Sequence, residues 1–168
     1  MFKKSFLALK YILKFLVVFP AFFWMHAADM NLNYSEYNLT NEKGEVVTLE
    51  PYKNKVLVVN FWATWCSPCL KELPELNHIS KQFNSKKVKF IAVAVDSKLK
   101  KILKFKERHN IDMQLLLDTN EEFSDFLRVS IMPSTYVFDQ NGKMILEIEG
   151  YSEKGIQKLI QEVEKLIQ

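Results

Sequence analysis

The chain has 168 residues, 48% of them hydrophobic and 13% aromatic, which suits one domain with a packed core plus a short appendage. Its formal charge of +3 comes from Lys3, Lys4, Lys10 and Lys14: the first 28 residues hold no acid, and taking those four from 23 basic residues leaves 19 against 20 acidic ones. That balance argues against a nucleic-acid partner, and two cysteines with His26, His78 and His109 scattered at no ligand spacing argue against a metal site, so no metal or cofactor is expected.

Residues 1–28 read as a targeting segment. Lys3 and Lys4 open it, and Phe15 to Met25 is an uncharged apolar run of eleven residues that includes Pro20. This is the length of a signal-peptide apolar region and short for a membrane span. Counting from Phe6 through Ala28 reaches spanning length only with Lys10 and Lys14 inside it. His26-Ala27-Ala28 is an imperfect cleavage site, because His stands where a small residue is preferred. A cleaved signal peptide and a retained N-terminal membrane anchor both remain open, and either exports residues 29–168. A run apolar on every face does not suit an ordinary first helix of a globular fold.

Asp29 to Tyr37 carries little pattern and reads as a linker or a short edge strand. Tyr37 to Thr40 and Val46 to Leu49 flank the turn cluster Asn41-Glu42-Lys43-Gly44, which predicts a β-hairpin. Pro51 and Lys53-Asn54 mark a loop into the next strand. There Val56 to Phe61, mostly apolar, leads to Cys66-Ser67-Pro68-Cys69, and an amphipathic segment follows with Leu70, Leu73, Leu76, Ile79 and Phe83 near one helical face. A strand delivering two cysteines to the first turn of a helix is a redox arrangement. Free amide hydrogens and the positive end of the helix dipole favour a thiolate at Cys66, the form that attacks disulfides. Two intervening residues let the sulfurs bond to each other, so Cys69 can close the ring and expel a bound substrate. Ser67 and Pro68 tune the pair, and Pro68 suits the first helical turn, where its missing amide costs nothing.

The string Phe61-Trp62-Ala63-Thr64-Trp65-Cys66-Ser67-Pro68-Cys69-Leu70-Lys71-Glu72-Leu73-Pro74 resembles the extracytoplasmic thioredoxin-like thiol–disulfide oxidoreductases of the TlpA/ResA/CcmG group. The likeness runs from around Leu39 to the C-terminus. A Cys-x-x-Cys alone would be a weak sign, since it equally makes half of a zinc site. The resemblance implies a thioredoxin fold with an added N-terminal hairpin, and an exported enzyme of the periplasm or the outer face of the cytoplasmic membrane. It also implies a reductant of apocytochrome c before haem attachment, recharged by a membrane electron donor of the DsbD/CcdA kind.

Beyond the motif, Val88 to Val95 is apolar except for Lys89 and suits a strand buried on both faces. Ser97 is placed to cap a helix reaching Asn110, with Leu99, Ile102, Leu103 and Phe105 inward. The Lys98, Lys100, Lys101, Lys104 and Lys106 cluster reads as its solvated face. Leu115 to Leu117 predicts a short strand, and Asn120 a cap for a short helix holding Phe123, Phe126 and Leu127. Ser134 to Asp139, the Asn141-Gly142 turn and Lys143 to Glu149 predict a second hairpin. Ser152 then caps a last helix with Ile156, Leu159, Ile160, Val163, Leu166 and Ile167 at helical spacing. The order implies an α/β fold with a mixed sheet of about five strands and helices on both faces, the first hairpin and the segment around 112–127 lying outside the minimal core.

Five further residues carry the functional expectation. Glu72 stands three past Cys69, one helical turn on, where a carboxylate can exchange a proton with the resolving thiol; the other reading is an exposed Glu paired with a lysine. The group it resembles has a glutamate there, and Asn60 stands where cytoplasmic thioredoxins carry a buried aspartate. Asn cannot titrate, so the acid–base group is expected to be Glu72. Pro133 reads on its own as a turn proline. The resemblance implies instead a cis Met132–Pro133 bond facing the cysteines, with the Met132 backbone free to pair with an extended substrate. Trp62 is expected in the core and Trp65 at the surface over the disulfide. Gly150 is either a strand-end glycine or, by resemblance, the loop glycine beside the cis proline, with Tyr151 bordering the groove. Other activities considered are a general disulfide oxidase or isomerase, a copper- or haem-delivery chaperone, and a thiol peroxidase. The last is disfavoured by the close cysteine pair without a Thr-x-x-Cys pattern.

Overall fold

The computed structural model describes residues 30–95 and 98–168. The targeting segment, residues 1–28, lies outside the described residues. Among the described residues no helix is long and apolar enough to cross a membrane.

Seven strands share one sheet: β1 (Leu39–Thr40), β2 (Val46–Val47), β3 (Val56–Trp62), β4 (Val88–Ala94), β5 (Gln114–Leu117), β6 (Ser134–Phe138) and β7 (Met144–Glu149), in the order β2-β1-β5-β4-β3-β6-β7. β3 is buried along its whole length because it has neighbours on both edges and cover on both faces. It runs parallel to β4 over seven residue pairs and antiparallel to β6 over five. The count exceeds the five strands expected because the N-terminal hairpin is no appendage. Thr40 pairs with Leu117, so β1 and β2 extend the same sheet past β5. Glu42, in the hairpin turn, ties the junction: its Oε1 accepts the Leu115 amide at 3.1 Å and its two oxygens accept Lys106 Nζ at 2.6 and 2.7 Å.

Among the described residues four α-helices lie between and after the strands: α1 (Cys69–Ser80), α2 (Leu99–His109), α3 (Glu122–Phe126) and α4 (Glu153–Ile167). Alternation splits β3 between two cores. Val56, Val58 and Trp62 share one with Leu73 and Leu76 of α1, Ile102 and Phe105 of α2, and Leu159 and Val163 of α4. Phe61 points the other way, against Phe123 of α3 with ring centroids 5.4 Å apart, and Tyr37 packs on Phe123 and Phe126 at 4.9 and 5.0 Å. Both faces carry helix as expected, but unequally, with the short α3 and the segment around Tyr37 covering the second.

Ser152 caps α4, its Oγ accepting the Gly155 amide at 3.1 Å. Ser97 lies outside the described residues. Asn120 does not cap α3. Glu121 takes the cap position in a left-handed conformation, and the buried Asp118 carboxylate accepts the Phe123 and Ser124 amides at 3.3 and 2.7 Å instead. The chain makes one more turn than expected, so the acceptor two residues earlier reaches the helix start.

Candidate active site

Sheet register assembles the site. Phe61 pairs with Ser134, and Ser134 pairs with Glu149. The chain therefore leaves β3 toward Cys66, enters β6 from Pro133 and leaves β7 into Gly150, all at one end of the sheet. Sequence distance is large and spatial distance small.

The Cys66 amide donates to the Ala63 carbonyl at 3.1 Å, turning the chain from β3 into α1. Cys66 and Cys69 are joined as a disulfide with Cα atoms 5.3 Å apart, and both are buried. The Cys69 amide donates to Cys66 Sγ at 3.3 Å. An amide of the first helical turn aimed at that sulfur favours negative charge on it once the bond opens. Ser67 and Pro68 are exposed, and the Pro68 carbonyl accepts the Lys71 and Glu72 amides at 3.1 and 3.0 Å, so the helix begins on proline. Trp65 is 69% exposed beside the disulfide, while Trp62 is fully buried with its ring 4.9 Å from that of Phe105.

Glu72 is not a surface residue. It is 2% exposed, which removes the reading as an exposed ion-pair partner. Asn60 Nδ2 donates to Glu72 Oε2 at 2.9 Å and to Thr135 Oγ1 at 2.9 Å, Asn60 and Thr135 being paired across β3 and β6. Burial pushes the Glu72 carboxyl up to about 7; the Asn60 hydrogen bond opposes this and the neighbouring Glu75 charge adds to it. A carboxyl group one turn from Cys69 that gains and loses its proton near neutrality has the affinity a general acid–base group needs.

The Met132–Pro133 peptide bond is cis. Pro133 is buried, Met132 half-buried and Ile131 48% exposed. The Pro133 carbonyl accepts the Gly150 amide at 2.7 Å. Gly150 has φ +73°, which favours glycine, and among the described residues no atom apart from its chain neighbours lies within 4 Å of where a Cβ would stand, so the space over it is open.

The expected residues thus gather at one end of the sheet. Two contributors escaped the sequence reading. Thr135 is one residue of a strand until register sets it against Asn60. Glu75, one turn beyond Glu72, accepts the Tyr151 hydroxyl at 2.9 Å; its spacing from Glu72 was the available sign.

The AhpC/TSA family profile matches residues 26–146. The chain belongs to the AhpC/TSA family. Within it, the chain is 30% identical over 116 residues to thiol-disulfide oxidoreductase ResA of Bacillus thuringiensis subsp. konkukian, spanning 69% of this chain and 67% of the relative. It is 31% identical over 112 residues to ResA of Bacillus subtilis, spanning 67% of this chain and 63% of the relative. A structure described as thiol:disulfide interchange protein DsbE from Chlorobium tepidum superposes with a TM-score of 0.75 at 25% identity, covering 83% of this chain and 99% of that one. This AhpC/TSA protein is a thioredoxin-like enzyme of the ResA/CcmG group, and its activity is thiol–disulfide exchange at a Cys-x-x-Cys pair.

Proposed function

We propose that the enzyme is an exported reductase of protein disulfides serving cytochrome c maturation, acting on the disulfide of apocytochrome c. The observation that carries the reading is the disulfide at the start of α1, with the Cys69 amide on Cys66 Sγ and the buried Glu72 one turn on. In the reduced enzyme the Cys66 thiolate attacks one sulfur of the substrate disulfide. A mixed disulfide forms and the other substrate sulfur leaves as a thiolate. Glu72 takes the Cys69 proton, the Cys69 thiolate attacks Cys66 Sγ, and the second substrate thiolate leaves. Two electrons pass from the enzyme's Cys66 thiolate and Cys69 thiol to the substrate, whose two thiolates take up one proton from Glu72 and one from solvent.

Trp65, Met132, Pro133 and Gly150 form the substrate-binding rim: an exposed indole, a backbone edge for an extended chain, and open space above the glycine. Ser67 and Pro68 set the redox poise from the helix start. The oxidised enzyme needs two electrons from a dithiol, for which a membrane transporter of the DsbD/CcdA kind is suited. Lys3, Lys4 and the apolar run to Met25 support export of residues 29–168 by a signal peptide or an N-terminal anchor.

Trapping tests this reading. Cys69→Ser leaves Cys66 able to attack but removes the thiol that resolves the adduct. Mixed disulfides isolated from cells are expected to contain apocytochrome c. A broad spread of secreted proteins would turn the reading toward a general oxidase or isomerase, and no adduct at all would sink it.

A further inference from the structure

Glu72 has a neutral side and a charged side. Toward the sheet it meets Asn60 and Thr135, each 1% exposed and neither titrating near neutrality. Along α1 lies Glu75, half-buried at the border with water. A glutamate at such a border ordinarily swings outward, where solvent screens it. Here it does not. Tyr151 Oη donates to Glu75 Oε2 at 2.9 Å across a sequence separation of 76, and a hydroxyl donor suits a carboxylate acceptor. Tyr151 is itself placed by its neighbour Gly150, whose amide bonds to the Pro133 carbonyl. The tether thus runs from the proline loop to the active-site helix.

We propose that Tyr151 is a positioning residue for thiol–disulfide exchange: its hydroxyl anchors the Glu75 carboxylate one helical turn from Glu72, so that a fixed negative charge faces the acid–base group. The inference rests on the reading of Glu72 as the acid–base group. The titratable groups facing the pair are Tyr151 and Glu153 at the start of α4, and Cys69 on the same helix is held in the disulfide. β3 and β6 contribute the neutral Asn60 and Thr135. Glu75 is the carboxylate whose charge opposes ionisation of Glu72, and it is the one the tether fixes.

The test follows the Glu72 carboxyl directly, by carbon NMR titration of the oxidised protein, alongside the pH profile of insulin-disulfide reduction. Tyr151→Phe keeps the ring and removes the hydroxyl. It is expected to lower the Glu72 midpoint by about 0.3–1 pH unit, Glu75→Gln by at least as much, and the double variant by no more than Glu75→Gln alone. The exchange profile should move with the midpoint. An unmoved midpoint in Tyr151→Phe, or additive shifts in the double variant, would overturn the inference. Glu72→Gln separates it from the reading beneath. If that variant leaves the pH profile intact, the acid–base role itself fails. If it abolishes the pH step while Tyr151→Phe leaves the step in place, only the tether fails.

Discussion

Asn60 donates one hydrogen bond to the Glu72 carboxylate at 2.9 Å inside the protein, while its own Oδ1 has no partner among the described residues. An amide can serve both states of its neighbour. As drawn, Nδ2 gives hydrogens to the carboxylate and to Thr135 Oγ1. Turned by half a revolution about its last bond, the same side chain presents Oδ1 to a protonated Glu72 and to the Thr135 hydroxyl. An aspartate at residue 60 could do only the second. The pairing lets Glu72 cycle its proton without losing its hydrogen-bond partner.

Glu72→Gln is expected to remove the step in exchange rate between about pH 6 and pH 8 and to slow exchange about tenfold or more at pH 7. The glutamine keeps the shape and still accepts from Asn60, so the loss falls on proton transfer alone. Stopped-flow reduction of a protein disulfide across that range checks it. An unchanged profile would remove Glu72 from the mechanism.

The same group makes stability depend on pH. Its folded value of about 7 lies above its usual 4.5, so the folded protein holds the proton more tightly than the unfolded chain. Stability from this source is full below the usual value, is lost as pH rises toward the folded one, and levels off beyond it. The loss amounts to about 3 kcal/mol at most. Glu72→Gln has no proton to lose. It is expected to exceed the native protein in stability at pH 8 and to match it near pH 4.5, measured by urea denaturation of the disulfide form.

Asn60→Asp would set two carboxyl groups against each other at the same place. One of them must stay protonated, and holding both charged costs about 1–3 kcal/mol. The variant is expected to unfold at lower denaturant than the native protein at pH 8, with the difference closing by pH 5. A deficit independent of pH would mean that packing, not charge, sets the cost.

How far the sequence could be read differs by element. Continuous apolar runs gave β3 and β4, which are covered on both faces, and 3.6-residue periodicity gave α1 and α4, each of which buries one apolar face. The two-residue strands β1 and β2 were foreseen as a hairpin but not as part of the main sheet, since Thr40 meeting Leu117 is a long-range pairing no local pattern encodes. The α3 cap was misplaced by two residues for a similar reason: Asp118 and Asn120 are both good caps, and the left-handed Glu121 decides between them. At the site, the cysteines and Glu72 follow from helical spacing. Thr135 and the pairing of Glu75 with Tyr151 do not, because strand register and a turn bring them in.

Trp65 and Trp62 should separate in fluorescence. Trp65 is exposed beside the disulfide and Trp62 is sealed against Phe105, so opening the disulfide changes the surroundings of the first far more. Emission is expected to rise on reduction as the quenching disulfide is lost. Trp65→Phe should remove the larger part of that rise, and Trp62 would take over the assignment if the rise survived.

Gly150→Ala asks whether the open space beside Pro133 belongs to the substrate. The backbone there has φ +73°, and an added methyl would meet nothing within 4 Å. The folded protein should therefore lose about 1–2 kcal/mol from conformation alone, with no clash. Gly150→Asn should lose less, since asparagine tolerates this conformation better, yet it projects further into the space. If an extended chain lies over Gly150, reduction of a protein disulfide will slow in the order Gly150, Ala, Asn while reduction of oxidised glutathione stays nearly constant. Protein-disulfide rates that follow stability instead, with Asn faster than Ala, would show that the glycine serves the turn and the substrate passes elsewhere.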